Sequence, residues 1–143
     1  MWTAGRAVVF YRFKSPYNFR GEIRVNKKSM NAFVVDAKRT AIGRSHPEKG
    51  ALRNVRADEL LAILIKEMTA KTVFPGIIPG IIPEIIPEII DDVFIGCVGQ
   101  HLEQGKNIAR LSSLLAGLPD RVPGVTINRL CASSLQAINF AAL

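Results

Sequence analysis

One amphipathic helix stands out in the first half of the chain. Ala57, Leu60, Leu61, Leu64, Ile65 and Met68 recur at the spacing of one helical face. Asp58 and Glu59 occupy the first turn, where carboxylates interact favourably with the positive end of the helix macrodipole. The spacing therefore predicts a helix that begins near Ala57 and packs one face against a core.

Three strand-like segments and two further helical segments accompany this helix. The strands are predicted at residues 32–36, 92–98 and 125–130. Asn107 can cap a second helix, which Gly117 and Pro119 end. A third helix is predicted over residues 132–143. Strand and helix alternate along the chain, which predicts the α/β class with a largely parallel sheet.

Four tandem tetrapeptides, each Pro-Gly-Ile-Ile or Pro-Glu-Ile-Ile, fill residues 75–90. Proline at every fourth position excludes a continuous α-helix and a central strand. The spacing also differs from the PxxP pattern of proline-recognition ligands. We interpret the Pro-Ile repeat as an expanded loop without a function of its own.

The composition indicates a globular chain, with 48% hydrophobic and 22% charged residues among 143. The longest proline-free apolar run, residues 60–65, is far shorter than a membrane span, so none is predicted. Cys97 and Cys131 have no zinc-ligand spacing, and nothing in the sequence requires a disulfide framework.

The net charge of +7 is concentrated in the first 29 residues. This segment has seven Lys and Arg residues and one acid, hence +6, and the remainder carries +1. Aromatic residues interleave with the bases, as in some RNA-binding tails, but no recognisable module is present and no nucleic-acid partner is expected. The segment resembles either a transit peptide or an extension upstream of a start at Met30, and the predicted strand just after Met30 favours the extension. Residues 1–29 are therefore predicted to lie outside the fold, and residues 30–143 to form it.

Cys131 lies between the third strand and the third helix. That helix is apolar nearly all round, which predicts that it is buried. The unpaired N–H groups at a helix N-terminus lower the pKa of a thiol and can receive an oxyanion. Cys131 is thus a candidate nucleophile, with a small buried core residue as the alternative. Cys97, inside a strand, is interpreted as a core thiol.

The residues around Cys131 resemble the nucleophilic-cysteine motif of thiolases. Residues 128–137 read Asn-Arg-Leu-Cys-Ala-Ser-Ser-Leu-Gln-Ala. Three further stretches agree with this family in order and spacing, at residues 39–44, 50–60 and 96–110. The resemblance implies the layered α-β-α fold of thiolases, of which this chain would hold an incomplete N-terminal domain.

The resemblance also implies a reaction. Cys131 would attack the 3-keto carbonyl of a 3-ketoacyl-CoA, release acetyl-CoA and carry the remaining acyl group until CoA accepts it. The backbone N–H of Cys131 would contribute to an oxyanion hole. No metal and no redox cofactor are expected, because CoA itself is the acyl carrier and acceptor. Residues 53–56 and 128–130 favour a degradative enzyme of fatty-acid β-oxidation over a biosynthetic acetoacetyl-CoA thiolase; a non-catalytic truncated fragment is a further alternative.

The resemblance also implies the partners of the chain, its compartment and catalytic residues that the chain does not contain. Thiolases form dimers or tetramers, and the resemblance places residues 99–110 near that interface; association with a multifunctional β-oxidation subunit is the other expected contact. The expected compartment is the cytoplasm, or an organelle matrix if the basic segment is a transit peptide. Thiolases carry two catalytic histidines and a second cysteine in their C-terminal half, and neither His46 nor His101 is expected to act as the base for Cys131. We therefore expect the chain to be incomplete and inactive alone.

Overall fold

A three-stranded sheet lies between helices in the part of the chain that the structure describes. The structure is a computed structural model and describes residues 10–13, 34, 36–71 and 90–143. The elements in chain order are β1 Phe10–Phe13, α1 Ala57–Lys71, β2 Ile90–Gly96, a 3-10 helix Leu102–Gln104, α2 Ile108–Leu115, β3 Gly124–Ile127 and α3 Ser133–Ala141. β2 is central, with β1 antiparallel on one side and β3 parallel on the other.

The side chains of β2 alternate between two layers of helices. Val93, Ile95 and, just beyond the strand, Cys97 are buried in the same hydrophobic cluster as residues of α1 and α2. Gly96 faces the other way, and a Cβ atom there would come within 2.4 Å of the Ser134 backbone nitrogen in α3. The helices α1 and α2 therefore cover one face of the sheet and α3 the other. This confirms the α/β class and the layered α-β-α order.

The amphipathic helix α1 forms as its periodicity predicts. Its apolar face is buried through Leu61, Leu64, Ile65 and Met68. Burial of such side chains is the main favourable contribution to folding. In the first turn Asp58 is almost fully buried and accepts two hydrogen bonds from Arg56, at 3.0 Å to Oδ1 and 2.7 Å to Oδ2. These bonds lower the pKa of the Asp58 carboxyl.

Helix α2 begins and ends where its capping residues predict. The Asn107 Oδ1 atom accepts a hydrogen bond from the Arg110 backbone N–H at 3.2 Å, and its Nδ2 donates to the Gly124 carbonyl at 2.7 Å. Gly117 follows the helix with φ of +86°, the left-handed conformation that glycine adopts without strain. Asn107 therefore satisfies the first turn of α2 and also fixes it to β3.

The predicted strand positions need three corrections. Val34 and Asp36, in the predicted strand 32–36, have no regular structure, because β1 and β3 occupy both edges of β2; residues 32, 33 and 35 lie outside the described residues. β2 runs from Ile90, the last residue of the predicted repeat loop, to Gly96 rather than from residue 92 to residue 98, because Ile90 pairs with β1 and is buried in the core. β3 ends at Ile127 rather than at residue 130, because the chain turns there. Residues 75–89 of the repeat lie outside the described residues.

Four residues of the basic N-terminal segment belong to the sheet. Phe10–Phe13 pair with β2, with Phe10 opposite Phe94, which corrects for these residues the prediction that the extension lies outside the fold. Aromatic residues favour strands, and the free edge of β2 accepts such a strand. The pairing makes the described sheet mixed rather than largely parallel. The rest of the predicted extension lies outside the described residues.

Helix α3 is less buried than its composition predicts. Within this helix Ser133 and Ala137 are buried, whereas Leu135 is 59% exposed and Phe140 43% exposed. The reason is that the described residues cover α3 on its sheet side only. None of the described helices combines the length and the apolar character needed to cross a bilayer.

The close contact between β3 and α2 gives a first testable prediction. A Cβ atom at Gly124 would lie 2.7 Å from the Arg110 backbone nitrogen and 2.9 Å from the Ala109 carbonyl carbon. We expect Gly124→Ala to lower the free energy of unfolding by about 1–3 kcal/mol, because backbone atoms must move to make room. Urea denaturation followed by circular dichroism measures it. Gly99→Ala is the control, since its nearest neighbour would be the His101 ring at 3.4 Å; equal stability of the two variants would contradict the prediction.

The ion pair at the start of α1 gives a second prediction. The Asp58 pKa is lower in the folded than in the unfolded chain, so the pair stabilises the fold above the unfolded pKa of about 3.9 and this stability is lost as the pH falls through the folded value. We expect Asp58→Asn to cost about 1 kcal/mol at pH 7, because Arg56 is largely exposed. Unfolding measured from pH 7 to pH 2 should show the difference shrinking in acid. Glu59→Gln, at an exposed neighbour, is the control; a pH-independent difference would contradict this assignment.

Candidate functional site

Cys131 lies on a tight turn between β3 and α3. Leu130 just before it has φ of +49°, a left-handed conformation that strains a residue with a side chain. Hydrogen bonds from Ala132 N to Arg129 O and from Ser133 N to Leu130 O, each at 3.1 Å, close the turn. Cys131 is exposed and precedes the first residue of α3 by two positions. The turn therefore presents the thiol to solvent just ahead of the helix, rather than inside a buried helix end.

Hydrogen bonds of the Ser133 side chain hold this turn in place. Its Oγ atom donates a hydrogen bond to the Leu130 carbonyl at 2.7 Å and accepts one from the Arg129 N–H at 2.8 Å. The residue is only 3% exposed. These bonds offset the strain at Leu130, because each gives a backbone group of the turn a hydrogen-bond partner. Sequence reasoning missed Ser133; its signal is a serine at the start of a helix, where hydroxyls bind local backbone groups.

Asn128 connects the turn to the end of β2. Its Oδ1 atom accepts a hydrogen bond from the Leu130 N–H at 3.0 Å, and its Nδ2 donates to the Val98 carbonyl at 3.2 Å. Arg129 reaches forward instead, and its guanidinium binds the Gln136 side chain in α3. The turn is therefore attached to the sheet on one side and to its own helix on the other.

Gly96 sets how closely α3 approaches the sheet. A Cβ atom at this position would lie 2.4 Å from the Ser134 nitrogen and 2.5 Å from the Ser133 carbonyl carbon. No side chain fits between two backbones at that distance. Glycine here lets the first turn of α3, and with it the Cys131 turn, rest directly on β2.

A cavity of about 550 Å³ opens beside the Cys131 turn. Residues 39–42, α1, the end of β2 and the turn itself surround it. Its inner lining includes the buried side chains of Leu61, Leu64 and Ile95, and Cys131 lies at its exposed rim. Its size is within the range of small-molecule sites.

Cys97 lines the same cavity in a different environment. The residue is buried, and its Sγ atom donates a hydrogen bond to the Gln104 Oε1 at 3.3 Å. Burial raises the pKa of the Cys97 thiol, which keeps it protonated and weakly nucleophilic at neutral pH. This confirms the prediction that Cys97 is a core thiol.

Neither histidine lines the cavity. His46 accepts hydrogen bonds at 3.1 Å from the backbone N–H groups of Glu48 and Lys49, so it organises its own turn. His101 is exposed beside Gly99 and does not line the cavity. Among the described residues, no group of three or more His, Cys, Asp or Glu side chains is placed to hold a metal ion.

Comparison with known proteins identifies a family to which this chain is similar. A family model described as "Thiolase, N-terminal domain" matches residues 32–143. The chain is 46% identical over 109 residues to a 3-ketoacyl-CoA thiolase of Yersinia pestis and 48% identical over 109 residues to one of Salmonella typhimurium. Each match covers 76% of this chain and 25% of the relative, so the chain spans about a quarter of the length of these proteins. Cys131, its turn and most of the cavity lie inside the matched region.

The contrast between the two cysteines gives a third prediction. We expect iodoacetamide to modify Cys131 at least about tenfold faster than Cys97 at pH 7.5, because Cys131 is exposed whereas Cys97 is buried with a raised pKa. Peptide mass spectrometry of timed samples measures both rates. In 8 M urea the two rates should converge, which is the internal control; similar rates in the folded chain would contradict the structure of the site.

Proposed function

Because the chain belongs to the thiolase family, whose N-terminal domain it carries, we propose that it contributes the nucleophile of a 3-ketoacyl-CoA thiolase reaction. One observation carries this proposal: the exposed Cys131 thiol lies at the rim of an apolar cavity, on a turn that hydrogen bonds hold in place. A thiol in this position is open to a bulky thioester substrate, and its neighbours hold it in place.

The proposed reaction has two covalent steps. The Cys131 thiolate attacks the 3-keto carbon, the bond between C2 and C3 breaks, and acetyl-CoA leaves after its C2 atom takes up a proton. The acyl group stays on Cys131 as a thioester. The thiol of free CoA then attacks this thioester, and the Cys131 thiolate is released. Covalent catalysis of this kind divides one difficult displacement into two easier ones.

In the proposed reaction, the Cys131 turn supplies the hydrogen-bond donor to the oxyanion. The N–H groups of Ala132 and Ser133 are bound to carbonyls within the turn, so the N–H of Cys131 itself is the proposed donor to the oxyanion. A donor fixed in place before the reaction stabilises the developing charge without reorganisation. The Ser133 and Asn128 hydrogen bonds hold this donor and the thiol in one geometry.

The proton transfers need groups that this site does not contain. His46 and His101 do not line the cavity, and a general base must reach the proton that it removes. We propose that the family's histidines and second cysteine, in the C-terminal half of the full-length relatives, complete the site. Dimeric or tetrameric assembly, a role in fatty-acid β-oxidation and a cytoplasmic location are part of the same proposal.

Acyl-enzyme formation is the fourth prediction. Turnover needs the missing proton-transfer groups, but transfer of one acetyl group needs only the thiolate of Cys131. We therefore expect the purified chain, incubated with acetyl-CoA and quenched at low pH, to carry an acetyl group on Cys131 that hydroxylamine removes, as it does from thioesters. Peptide mass spectrometry locates and counts the group. The label should persist in Cys97→Ser, the matched variant at the other cysteine, and disappear in Cys131→Ser.

The controls distinguish acetylation that depends on the folded site from the general reactivity of a thiol. Chain unfolded in 8 M urea should acquire much less acetyl group on Cys131, since the turn no longer exists. Label on Cys97 in preference to Cys131, or equal label in folded and unfolded chain, would overturn the proposal that the turn holds the Cys131 thiol and its N–H donor in a reactive geometry. Absence of label on both cysteines would overturn the proposal that this chain forms an acyl-enzyme by itself.

A further inference from the structure

One wall of the cavity beside Cys131 comes from a single loop, residues 39–55, which we call the wall loop. Residues 39–42 line the cavity at the start of this loop, and Leu52 and Val55 line it near the end. Leu52 also packs on the start of the loop, since a Cβ atom at Gly43 would lie 3.1 Å from the Leu52 Cγ atom. A turn over residues 44–50, which does not line the cavity, joins the two lining stretches. The position of this wall therefore depends on how the turn is closed.

His46 closes the turn with both its backbone and its ring. Its N–H donates to the Arg44 carbonyl, and its carbonyl accepts from the Gly50 N–H, each at 3.0 Å. The Nδ1 atom of the imidazole accepts from the backbone N–H groups of Glu48 and Lys49, each at 3.1 Å. Two of these four hydrogen bonds therefore require an unprotonated Nδ1 atom.

Protonation of the ring removes those two hydrogen bonds. A neutral imidazole has one acceptor nitrogen, whereas both nitrogens of the imidazolium are donors. A proton on Nδ1 would face two N–H groups that also need acceptors, so the turn would lose both bonds and gain repulsion between donors. Histidine is the side chain whose charge ordinarily changes between about pH 5 and pH 8. Closure of the turn is therefore linked to the protonation state of His46 near neutral pH.

The other charged groups of the wall loop are Lys, Arg and Glu side chains. All five are exposed: Arg39, Arg44, Glu48, Lys49 and Arg53. Just beyond the loop, the first turn of α1 adds exposed Glu59 and the ion pair between Arg56 and Asp58. Side chains of these types ordinarily change charge near about pH 4 or above about pH 10. The chain has two histidines, so a variant at His101 controls for the second one.

We propose that His46 is a pH-dependent switch for this cavity wall. With a neutral ring, the turn at residues 44–50 is closed and holds the two lining stretches together. With a protonated ring, the turn opens and the cavity becomes accessible to solvent. The switch acts through the wall loop and not through proton transfer at Cys131, since His46 does not line the cavity. It is independent of the proposed acyl transfer and is tested without a substrate.

Nuclear magnetic resonance of the ¹⁵N-labelled chain tests the switch directly. The ring ¹⁵N shifts of His46 report which nitrogen carries the proton, and we expect Nδ1 to be unprotonated at pH 7.5. Backbone order parameters report motion of the turn. For residues 45–49 we expect values of about 0.8 at pH 7.5 and below about 0.6 at pH 5.5, because the protonated turn loses two of its hydrogen bonds.

Two substitutions at His46 distinguish protonation of this ring from other effects of acid. In His46→Asn, the Oδ1 atom is bonded to Cγ as Nδ1 is; it can accept from the following N–H groups but does not titrate. We expect this turn to be ordered at both pH values. His46→Ala lacks the acceptor, so its turn should have low order parameters at both. His101→Asn, at the exposed second histidine, is the control and should respond to pH as the wild type does.

The Cys97 thiol reports whether the cavity opens with the turn. Cys97 is buried and lines the cavity, so movement of the wall loop should increase its alkylation by iodoacetamide. At pH 7.5 we expect Cys97 in His46→Ala to react at least about tenfold faster than in the wild type, because loss of two hydrogen bonds shifts the opening equilibrium by about that factor. His46→Asn should match the wild type. In 8 M urea all three chains should react at one rate, and circular dichroism verifies that each is folded without urea.

Each result either supports the switch or overturns it. Order parameters that are equal at the two pH values, or that fall as much in His46→Asn as in the wild type, would overturn the role of the His46 ring. Equal alkylation of Cys97 in His46→Ala and His46→Asn would overturn the coupling of the turn to the cavity. If His46→Ala does not fold, comparison of the wild type with His46→Asn at pH 5.5 decides both points. At that pH, the wild type should have the less ordered turn and the faster alkylation of Cys97.

Discussion

The contact between the backbones of β2 and α3 at Gly96 is the constraint on which the candidate site depends. A methyl group at Gly96 would overlap the first turn of α3, so any other residue would push the helix away from the sheet. The Cys131 turn is attached to this same helix start through Ser133. Displacing α3 would therefore move the thiol away from the cavity that α1 and β2 form. The absence of a side chain at Gly96 therefore fixes the position of the Cys131 thiol relative to the cavity.

A second contact of the same kind holds the opposite layer. Gly124 at the start of β3 lets the first turn of α2 approach the strand, and Asn107 bridges the two with hydrogen bonds. Together the two glycines fix a helix to each face of the sheet by backbone contact, where side-chain packing alone would allow a range of distances. Gly96 ends β2 and Gly124 begins β3, so the two contacts lie at opposite ends of this parallel strand pair. The contact at Gly96 fixes α3 at the end that carries the site, and the contact at Gly124 fixes α2 at the other end.

Sequence alone predicted the features that depend on local periodicity and capping. The bounds of α1 and α2 follow from the spacing of Leu61, Leu64 and Met68 and from Asn107, and these were confirmed. The ends of β2 and β3 were displaced by one to three residues, since they depend on where neighbouring backbones pair. The resemblance of residues 128–137 to a thiolase motif pointed to Cys131 before any geometry was known, and the family was confirmed; its catalytic role remains a proposal.

The features that could not be predicted from the sequence depend on contacts between segments that are distant along the chain. A serine at the start of a helix indicates a hydrogen bond to a local backbone group, but the groups that Ser133 binds become visible only with the backbone of residues 129–130 beside it. The cavity needs residues 39–42, α1 and the Cys131 turn in one place. The predicted burial of α3 failed for a related reason: composition reports the apolar character of Leu135 and Phe140, not which segments cover them.

The two cysteines show how one cavity can discriminate between identical groups. Both thiols line it, yet burial raises the pKa of Cys97, whose sulfur also donates a hydrogen bond to Gln104. Cys131 lies on a strained turn and is exposed among the described residues. An electrophile in the cavity would have both sulfurs nearby, but attack by Cys97 would require a thiolate to form in an apolar environment. We therefore expect selectivity for Cys131 to arise from desolvation of Cys97 as well as from the turn that presents Cys131.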